Sequence, residues 1–266
     1  MLLQESQVAN FRRDGYLAID QGVFAQNELD AVQARIDMLY GNRRKLPRRR
    51  TKLAHGADPT PPLCEILGAS VLDPRLTKLA VVDRCRQIAQ ELLGRDRVWL
   101  YFDHVFYKNS GGSSSVPWHQ DSAYSVTGMT SQAVHFWIPF QNVDEASGCM
   151  RYVPGSHVEG LHEHRVKHRD DGLVFRSADI DDSNAVTCPL RVGGLVCHTP
   201  LTLHGSGPNS SGAIRRAWVL QFGIGPWVAL RDLGRPILTL GARLQMSAAN
   251  GTAKTATGDL ASVDPG

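Results

Sequence analysis

The sequence predicts a β-sandwich or barrel with helices packed outside it. Helical periodicity is confined to the first third of the chain, short apolar runs follow it, and Gly, Pro, Asn and Ser clusters separate those runs. Residues 4–13 read as a short helix, and Gly15-Tyr16-Leu17-Ala18-Ile19 as the strand after it. Leu29, Val32, Ile36 and Leu39 recur three or four apart, which places one apolar stripe on a helix over 26–40. A further helix is predicted over 76–93, with Gly94 just past its end, where a left-handed residue closes a helix. Residues 98–107 are strand-like, and Ser110-Gly111-Gly112-Ser113-Ser114-Ser115 is a flexible link to the strand that follows. Residues 133–140, 149–153, 195–198 and 217–224 read as buried strands.

The 266 residues fit one β-rich domain, expected over 1–247. The stretch 248–266 is small and polar with no aromatic residue, and is expected to be a mobile tail. A hydrophobic content of 42% with 21% charged residues is that of a globular chain able to bury a full core. The N-terminus lacks a basic start followed by an apolar run, and no apolar stretch is long enough to span a bilayer. Five cysteines without a CxxC pair point to reduced, buried thiols in a cytoplasmic protein. A net charge of +3 does not argue for nucleic acid, and the expected state is a monomer or weak homo-oligomer. Arg43, Arg44, Lys45, Arg48, Arg49, Arg50 and Lys52 form a basic segment that reads either as a solvated, mobile loop or as an anion-attracting lid. No aromatic residue interleaves with these charges, so single-stranded nucleic acid is not indicated.

The chemistry is concentrated in His119-Gln120-Asp121 and His204. Two imidazoles and a carboxylate can hold Fe(II) by one face and leave its other positions open to a cosubstrate and O2. On an extended strand, side chains i and i+2 share a side, so His119 and Asp121 can reach one metal. Downstream of His204 the chain passes a turn region rich in Gly, Pro, Asn and Ser and re-enters an apolar run at Arg215, so it doubles back. An arginine there would face the open side of the metal, and its rigid fork suits a carboxylate as lysine's point charge does not. A metal beside a carboxylate clamp suggests a dicarboxylic cosubstrate. Only one of Arg215 and Arg216 can face the pocket, because strand neighbours alternate.

The chain resembles the phytanoyl-CoA dioxygenase family of Fe(II)/2-oxoglutarate-dependent oxygenases over about residues 6–225. The resemblance is carried by Phe11-Arg12-Arg13-Asp14-Gly15-Tyr16-Leu17, Trp118-His119-Gln120-Asp121, Gly148-Cys149-Met150-Arg151-Tyr152-Val153-Pro154-Gly155-Ser156-His157, His204-Gly205-Ser206-Gly207-Pro208-Asn209 and Arg215, in that order. It implies a double-stranded β-helix, a cupin-like jelly roll with flanking helices and the metal in its open mouth. It implies iron ligands His119, Asp121 and His204, with Arg215 and Ser206 on the distal carboxylate of 2-oxoglutarate. Trp137 matches a family tryptophan lining the cosubstrate site, and Lys108 stands near a family lysine that contacts the cosubstrate. Related halogenases carry a small residue at the motif carboxylate, so Asp121 implies oxygenase chemistry. Small members of the family tailor bacterial natural products, which makes a polyketide or glycoside the expected substrate class. A fatty acyl-CoA or an amino acid is the alternative within the family. A zinc isomerase or hydrolase of the same shape, or a binding module without chemistry, is the alternative outside it.

Each of these residues also has a plainer reading: core packing for Trp137, a stabilised turn for Ser206 and a solvated strand end for Lys108. His162, His164 and His168 could form a zinc site, but the surrounding charges read as an exposed polar loop. His157 is expected to fix the Pro154-Gly155-Ser156 turn. Asp103, His104, Trp118, Tyr124 and Phe222 are candidates for shaping the substrate pocket.

Overall fold

The computed structural model describes residues 2–53, 62–111, 115–124, 132–168 and 174–224. The expected tail and the last part of the expected domain lie outside the described residues, as does part of the Gly/Ser link. The helices are α1 (Glu5–Asp14), α2 (Gln26–Gly41), a single turn α3 (Ala69–Leu72) and α4 (Ala80–Leu93). The strands are β1 (Tyr16–Ile19), β2 (Thr51–Leu53), β3 (Leu63–Leu67), β4 (Trp99–Lys108), β5 (Val116–His119), β6 (Ala133–Pro139) and β7 (Met150–Tyr152). They continue with β8 (Arg165–His168), β9 (Val174–Ser177), β10 (Val186–Cys188), β11 (Leu195–His198), β12 (His204–Ser206) and β13 (Arg215–Gly223).

Seven strands form one sheet in the order β1-β11-β6-β13-β4-β3-β2, and four form a second in the order β10-β7-β12-β5. All their pairings are antiparallel, and the two sheets make the jelly roll. A two-stranded ribbon, β8-β9, forms a ladder of its own.

Residues in register share a face of a sheet, so the pairings sort the side chains of the large sheet. On one face Val105, Tyr107, Phe136, Ile138, Trp218 and Leu220 meet Leu29, Val32 and Ile36 of α2 and Val82, Cys85 and Ile88 of α4 in the main core. Each large apolar side chain buried there contributes roughly 1.5–3 kcal/mol. On the other face Trp137, Val196, Ala217 and Val219 meet Cys149, Met150, Tyr152 and Cys188 across the sandwich. All five cysteines are free and buried, three in the helix-side core and two between the sheets.

The helix expected over 76–93 is broken. Pro74–Lys78 is a 3-10 turn capped by Asp73, Leu79 is extended, and α4 begins after it. A 3-10 turn repeats every three residues, so Leu76 and Leu79 keep the apolar spacing of an α-helix while the backbone changes. Gly94 closes α4 in the left-handed conformation, as expected. Gly15 does the same for α1 at φ 80. A Cβ there would lie 2.5 Å from His157 Nδ1 and 2.6 Å from Thr202 Oγ1, so glycine also permits the approach of the chain leading to His204. His157 Nε2 bonds the Arg12 carbonyl at 3.1 Å and so ties α1 to the sandwich. The turn expected to depend on His157 is instead held by Ser156, whose hydroxyl donates to the Val153 carbonyl at 2.7 Å and accepts from Leu203 N–H at 2.9 Å.

The basic segment folds into short elements rather than a plain loop. Arg43–Lys45 and Arg48–Arg50 form two 3-10 turns, and Lys52 lies on β2 at the edge of the large sheet. Its ammonium pairs with Glu65 on β3 at 2.8 Å.

Candidate metal centre

His119 ends β5 and His204 begins β12, and the two are directly opposed across adjacent strands. Their rings stand 4.2 Å apart. His119 Nδ1 donates to the Pro117 carbonyl at 2.8 Å, and His204 Nδ1 to the Thr202 carbonyl at 2.9 Å. Each donation leaves the lone pair on Nε2, and each binds the ring to the backbone two residues earlier. Asp121 is not on the strand with His119, as the i, i+2 argument required. Gln120 leaves the sheet, and Asp121 opens a 3-10 turn that brings its Oδ1 to 3.6 Å from His119 Nε2 and 3.7 Å from His204 Nε2. The three ligand atoms lie within 4.8 Å of one another, which is room for one ion. Burial works against the Asp121 charge, but the surrounding imidazoles of His204, His135 and His119 hold its carboxyl well below the usual range. Burial and the neighbouring His119 keep His204 neutral by pushing its pKa well down. Neutral imidazoles with an ionised carboxylate form a donor set for a divalent transition metal.

Gln120, the residue between the two ligands, is fully buried. Its amide donates to the carbonyls of Gly160 and Leu201 at 2.7 and 2.6 Å and accepts from His162 N–H at 2.8 Å. His164 Nε2 accepts from Gln120 N–H at 2.9 Å. The loop expected to be exposed is therefore docked onto the motif through His162 and His164. His168 stands exposed on β8, so the three do not converge on an ion.

Behind Asp121 lie two histidines that the sequence reading missed. His135 Nδ1 is 2.5 Å and His198 Nε2 is 3.2 Å from Asp121 Oδ2. Both are buried, on β6 and β11, in register with each other. The visible signal was a histidine at an inward position of each buried strand, with His135 two residues before Trp137 and on its face.

Arg215 begins β13 opposite Lys108 at the end of β4. It is 2% exposed, its guanidinium sits 5.2 Å from the Trp137 ring, and its Nε has no hydrogen-bond partner among the described residues. Burial pushes its pKa down to about 10, which leaves it charged at neutral pH. A cation placed in that setting without a carboxylate partner is costly unless an anion joins it. Lys108 is not a solvated strand end. It is fully buried, and its ammonium donates to Ser206 Oγ at 2.8 Å and to the Gly207 carbonyl at 2.6 Å. Arg215, Lys108, Ser206 and Trp137 are thus brought together. His204 and Arg215 do not form a hairpin: β12 belongs to the small sheet and β13 to the large one, so the chain crosses the sandwich between them. Arg216 turns to the helix side and meets Asp37 at 3.3 Å.

Three of the expected pocket residues, Asp103, Phe222 and Trp118, face away from the site. Asp103 accepts from Ser70 Oγ at 2.5 Å and Trp218 Nε1 at 2.9 Å, and Phe222 packs edge-on against Phe136 in the helix-side core. Trp118 points off the site as the strand neighbour of His119, with its indole donating to Asp182 at 2.9 Å. Tyr124 does stand at the site, edge-on to His119 at 5.8 Å. His104 faces between the sheets and bonds Glu65 at 2.7 Å. Burial acts to raise the Glu65 carboxyl, but Lys52 and His104 outweigh it and hold it at about 2. A depressed carboxylate stabilises the fold above its unfolded pKa and ceases to do so as pH falls toward the folded value. The stability difference between the native chain and Glu65→Gln is therefore expected to be full at pH 6 and to shrink between about pH 4.5 and pH 2, read by urea melts across that range.

Residues 11–217 match the sequence profile of the family described as Phytanoyl-CoA dioxygenase (PhyH). The peroxisomal phytanoyl-CoA dioxygenase of Bos taurus is 32% identical over 114 residues, which span 41% of this chain and 34% of that protein. The chain thus matches about a third of that relative's length. The crystal structure of EvdO2 from Micromonospora carbonacea var. aurantiaca complexed with 2-oxoglutarate is 26% identical, with a TM-score of 0.70 over 84% of this chain and 91% of that one. The carbocyclase SnoK from nogalamycin biosynthesis, 24% identical, shares the fold at a TM-score of 0.68 over 83% of this chain and 84% of that one. With the jelly roll, the opposed histidines and the profile match over most of its length, the chain belongs to the phytanoyl-CoA dioxygenase family.

Proposed function

We propose that the chain is an Fe(II)/2-oxoglutarate-dependent oxygenase that oxidises a C–H bond of a small organic molecule. The observation that carries this reading is a metal-sized His119/Asp121/His204 set in the same sandwich as a buried Arg215 with no carboxylate partner among the described residues. His119, Asp121 and His204 would hold the iron, and Arg215, with Ser206 and Lys108 beside it, would take the distal carboxylate of 2-oxoglutarate over Trp137. Bound iron with O2 would supply the oxidation, 2-oxoglutarate leaving as succinate and CO2. The chain's part is to hold both imidazoles with Nε2 turned inward, to keep Asp121 ionised, and to orient the cosubstrate by a two-point contact. A zinc hydrolase or isomerase needs no carboxylate clamp, so Arg215 weighs against that reading.

Likeness to EvdO2, complexed with 2-oxoglutarate, supports the cosubstrate, and likeness to a carbocyclase from nogalamycin biosynthesis accords with a secondary metabolite, of polyketide or glycoside type, as substrate. Hydroxylation is the default outcome, and ring closure, desaturation or epimerisation follow if the pocket steers the substrate radical elsewhere. No described helix is long and apolar enough to cross a membrane. The test is incubation with Fe(II), ascorbate, O2 and 2-oxoglutarate, first alone and then with polyketide and glycoside candidates. Slow succinate release without substrate is expected, and a faster release with a product 16 Da heavier, 2 Da lighter or, for an epimer, of equal mass and different retention. A chlorinated product in chloride buffer would contradict the role given to Asp121, and absence of any 2-oxoglutarate turnover would contradict the whole reading.

A further inference from the structure

The described residues contain a second group with metal-ligand chemistry, Asp121, His135 and His198, sharing its carboxylate with the first. Distances separate the two. Ligand bonds of about 2.0–2.2 Å at tetrahedral or octahedral angles place neighbouring donor atoms roughly 3 Å or more apart. Asp121 Oδ1 meets that condition, at 3.6 and 3.7 Å from the His119 and His204 nitrogens. Asp121 Oδ2, 2.5 Å from His135 Nδ1, does not, and that contact is a short hydrogen bond to a carboxylate. The same oxygen receives His198 Nε2 at 3.2 Å.

The outer members of this cluster are two phenols. A bulge in the β13–β4 pairing, between Gln221 opposite Phe102 and Phe222 opposite Leu100, leaves Tyr101 without a partner of its own and re-aims its side chain. The Tyr101 hydroxyl meets His135 Nε2 at 2.6 Å. On the other side the Tyr152 hydroxyl meets His198 Nδ1 at 3.1 Å, and Tyr16 stacks on the Tyr152 ring at 4.7 Å. If each phenol donates to the outer nitrogen, each neutral imidazole carries its one hydrogen on the inner nitrogen, aimed at Asp121. The chain Tyr101–His135–Asp121–His198–Tyr152 is then satisfied at every link, with both donors converging on one carboxylate oxygen.

We propose that His135 and His198 are positioning residues that grip Asp121 Oδ2, so that Oδ1 alone is presented beside His119 and His204. This rests on reading His119, Asp121 and His204 as the ligands. The grip restrains a carboxylate that stands on a 3-10 turn rather than on a sheet, and it keeps the second oxygen from spreading onto the metal. That leaves one more position for cosubstrate and O2 than a two-oxygen carboxylate would. Tyr101 and Tyr152 support the grip by fixing the tautomers.

The test is Co(II) titration of the metal-free, full-length chain, with binding followed by visible absorbance and calorimetry and folding checked by circular dichroism. His135→Leu and His198→Leu are each expected to weaken Co(II) about 10–100-fold, the usual consequence of losing an outer-shell partner. Asparagine places its amide near the imidazole Nδ1 position and glutamine near Nε2, so His135→Asn and His198→Gln are expected to restore binding to within about threefold. Should a leucine variant not fold, Tyr101→Phe and Tyr152→Phe, each removing one oxygen, carry the test with an expected several-fold weakening. Wild-type affinity in a folded leucine variant, or in both phenylalanine variants where leucine does not fold, overturns the proposal. Two Co(II) per native chain, falling to one in the leucine variants, also overturns it by making the pair ligands of a second ion. Unchanged binding in His119→Ala would instead remove the ligand assignment beneath it.

Discussion

His119→Ala, Asp121→Ala and His204→Ala are each expected to abolish 2-oxoglutarate turnover. Losing an outer-shell partner alone costs roughly 10–100-fold in metal affinity or activity, so losing a ligand should exceed about 100-fold. The three variants should differ in stability while sharing this loss. His204 is 4% exposed and stacked among His119, His198 and Tyr152, so its truncation leaves a cavity. Asp121→Ala removes the carboxylate that faces four imidazoles and leaves the donors of His135 and His198 unanswered. Succinate release measured beside thermal melts separates the two effects. Undiminished release by folded Asp121→Ala would end the assignment.

The second large effect is expected at Arg215. Arg215→Lys keeps a positive charge but loses the two-point contact with a carboxylate, which for a desolvated charged pair contributes on the order of 1.5–3 kcal/mol. The concentration of 2-oxoglutarate needed for half-maximal rate should rise about 10–100-fold, at roughly tenfold per 1.4 kcal/mol. Co(II) affinity should stay as in the native chain, because Arg215 is not a ligand. Arg216→Lys should hardly change the titration, since Arg216 faces Asp37 on the helix side of the sheet, at a partly exposed pair worth about 0–1 kcal/mol. If Arg216 were the sensitive position, the face assigned to Arg215 would be wrong, and with it the grouping of Lys108, Ser206 and Trp137.

Local patterns carried much of this architecture. The apolar stripe of α2, the strand before it and the inward runs of β6, β11 and β13 were legible because burial on one face imposes a period on the residues themselves. Four features were not. The break at Leu79 hides because a 3-10 turn preserves three-residue spacing. Strands β2 and β3 are masked by a basic, proline-containing stretch, whose Lys52 pairs in the tertiary structure with Glu65. The placement of Asp121 depends on Gln120 leaving the sheet to bond a loop forty residues later, which no window of sequence displays. The histidines beside Asp121 come from strands brought into register only by the fold, 14 and 77 residues away. Motif spacing named which residues could act on a metal, but not what holds them. The bulge at Tyr101 shows the same limit, since one unpaired residue moves a phenol from the helix face to the face between the sheets.

The buried thiols divide the molecule into two reporters. Cys64, Cys85 and Cys197 lie beneath the helices, while Cys149 and Cys188 lie between the sheets. Burial raises the pKa of every one of them, Cys149 to about 11 and Cys64 and Cys188 to about 12, so the reactive thiolate is scarce while the fold is closed. An alkylating reagent must therefore wait for an opening, and which cysteines it modifies first tells which layer parted. Peeling of the helices would mark Cys85 and Cys197, whereas separation of the two sheets would mark Cys149 and Cys188. The chain carries its own stopwatch for each layer, with no label added.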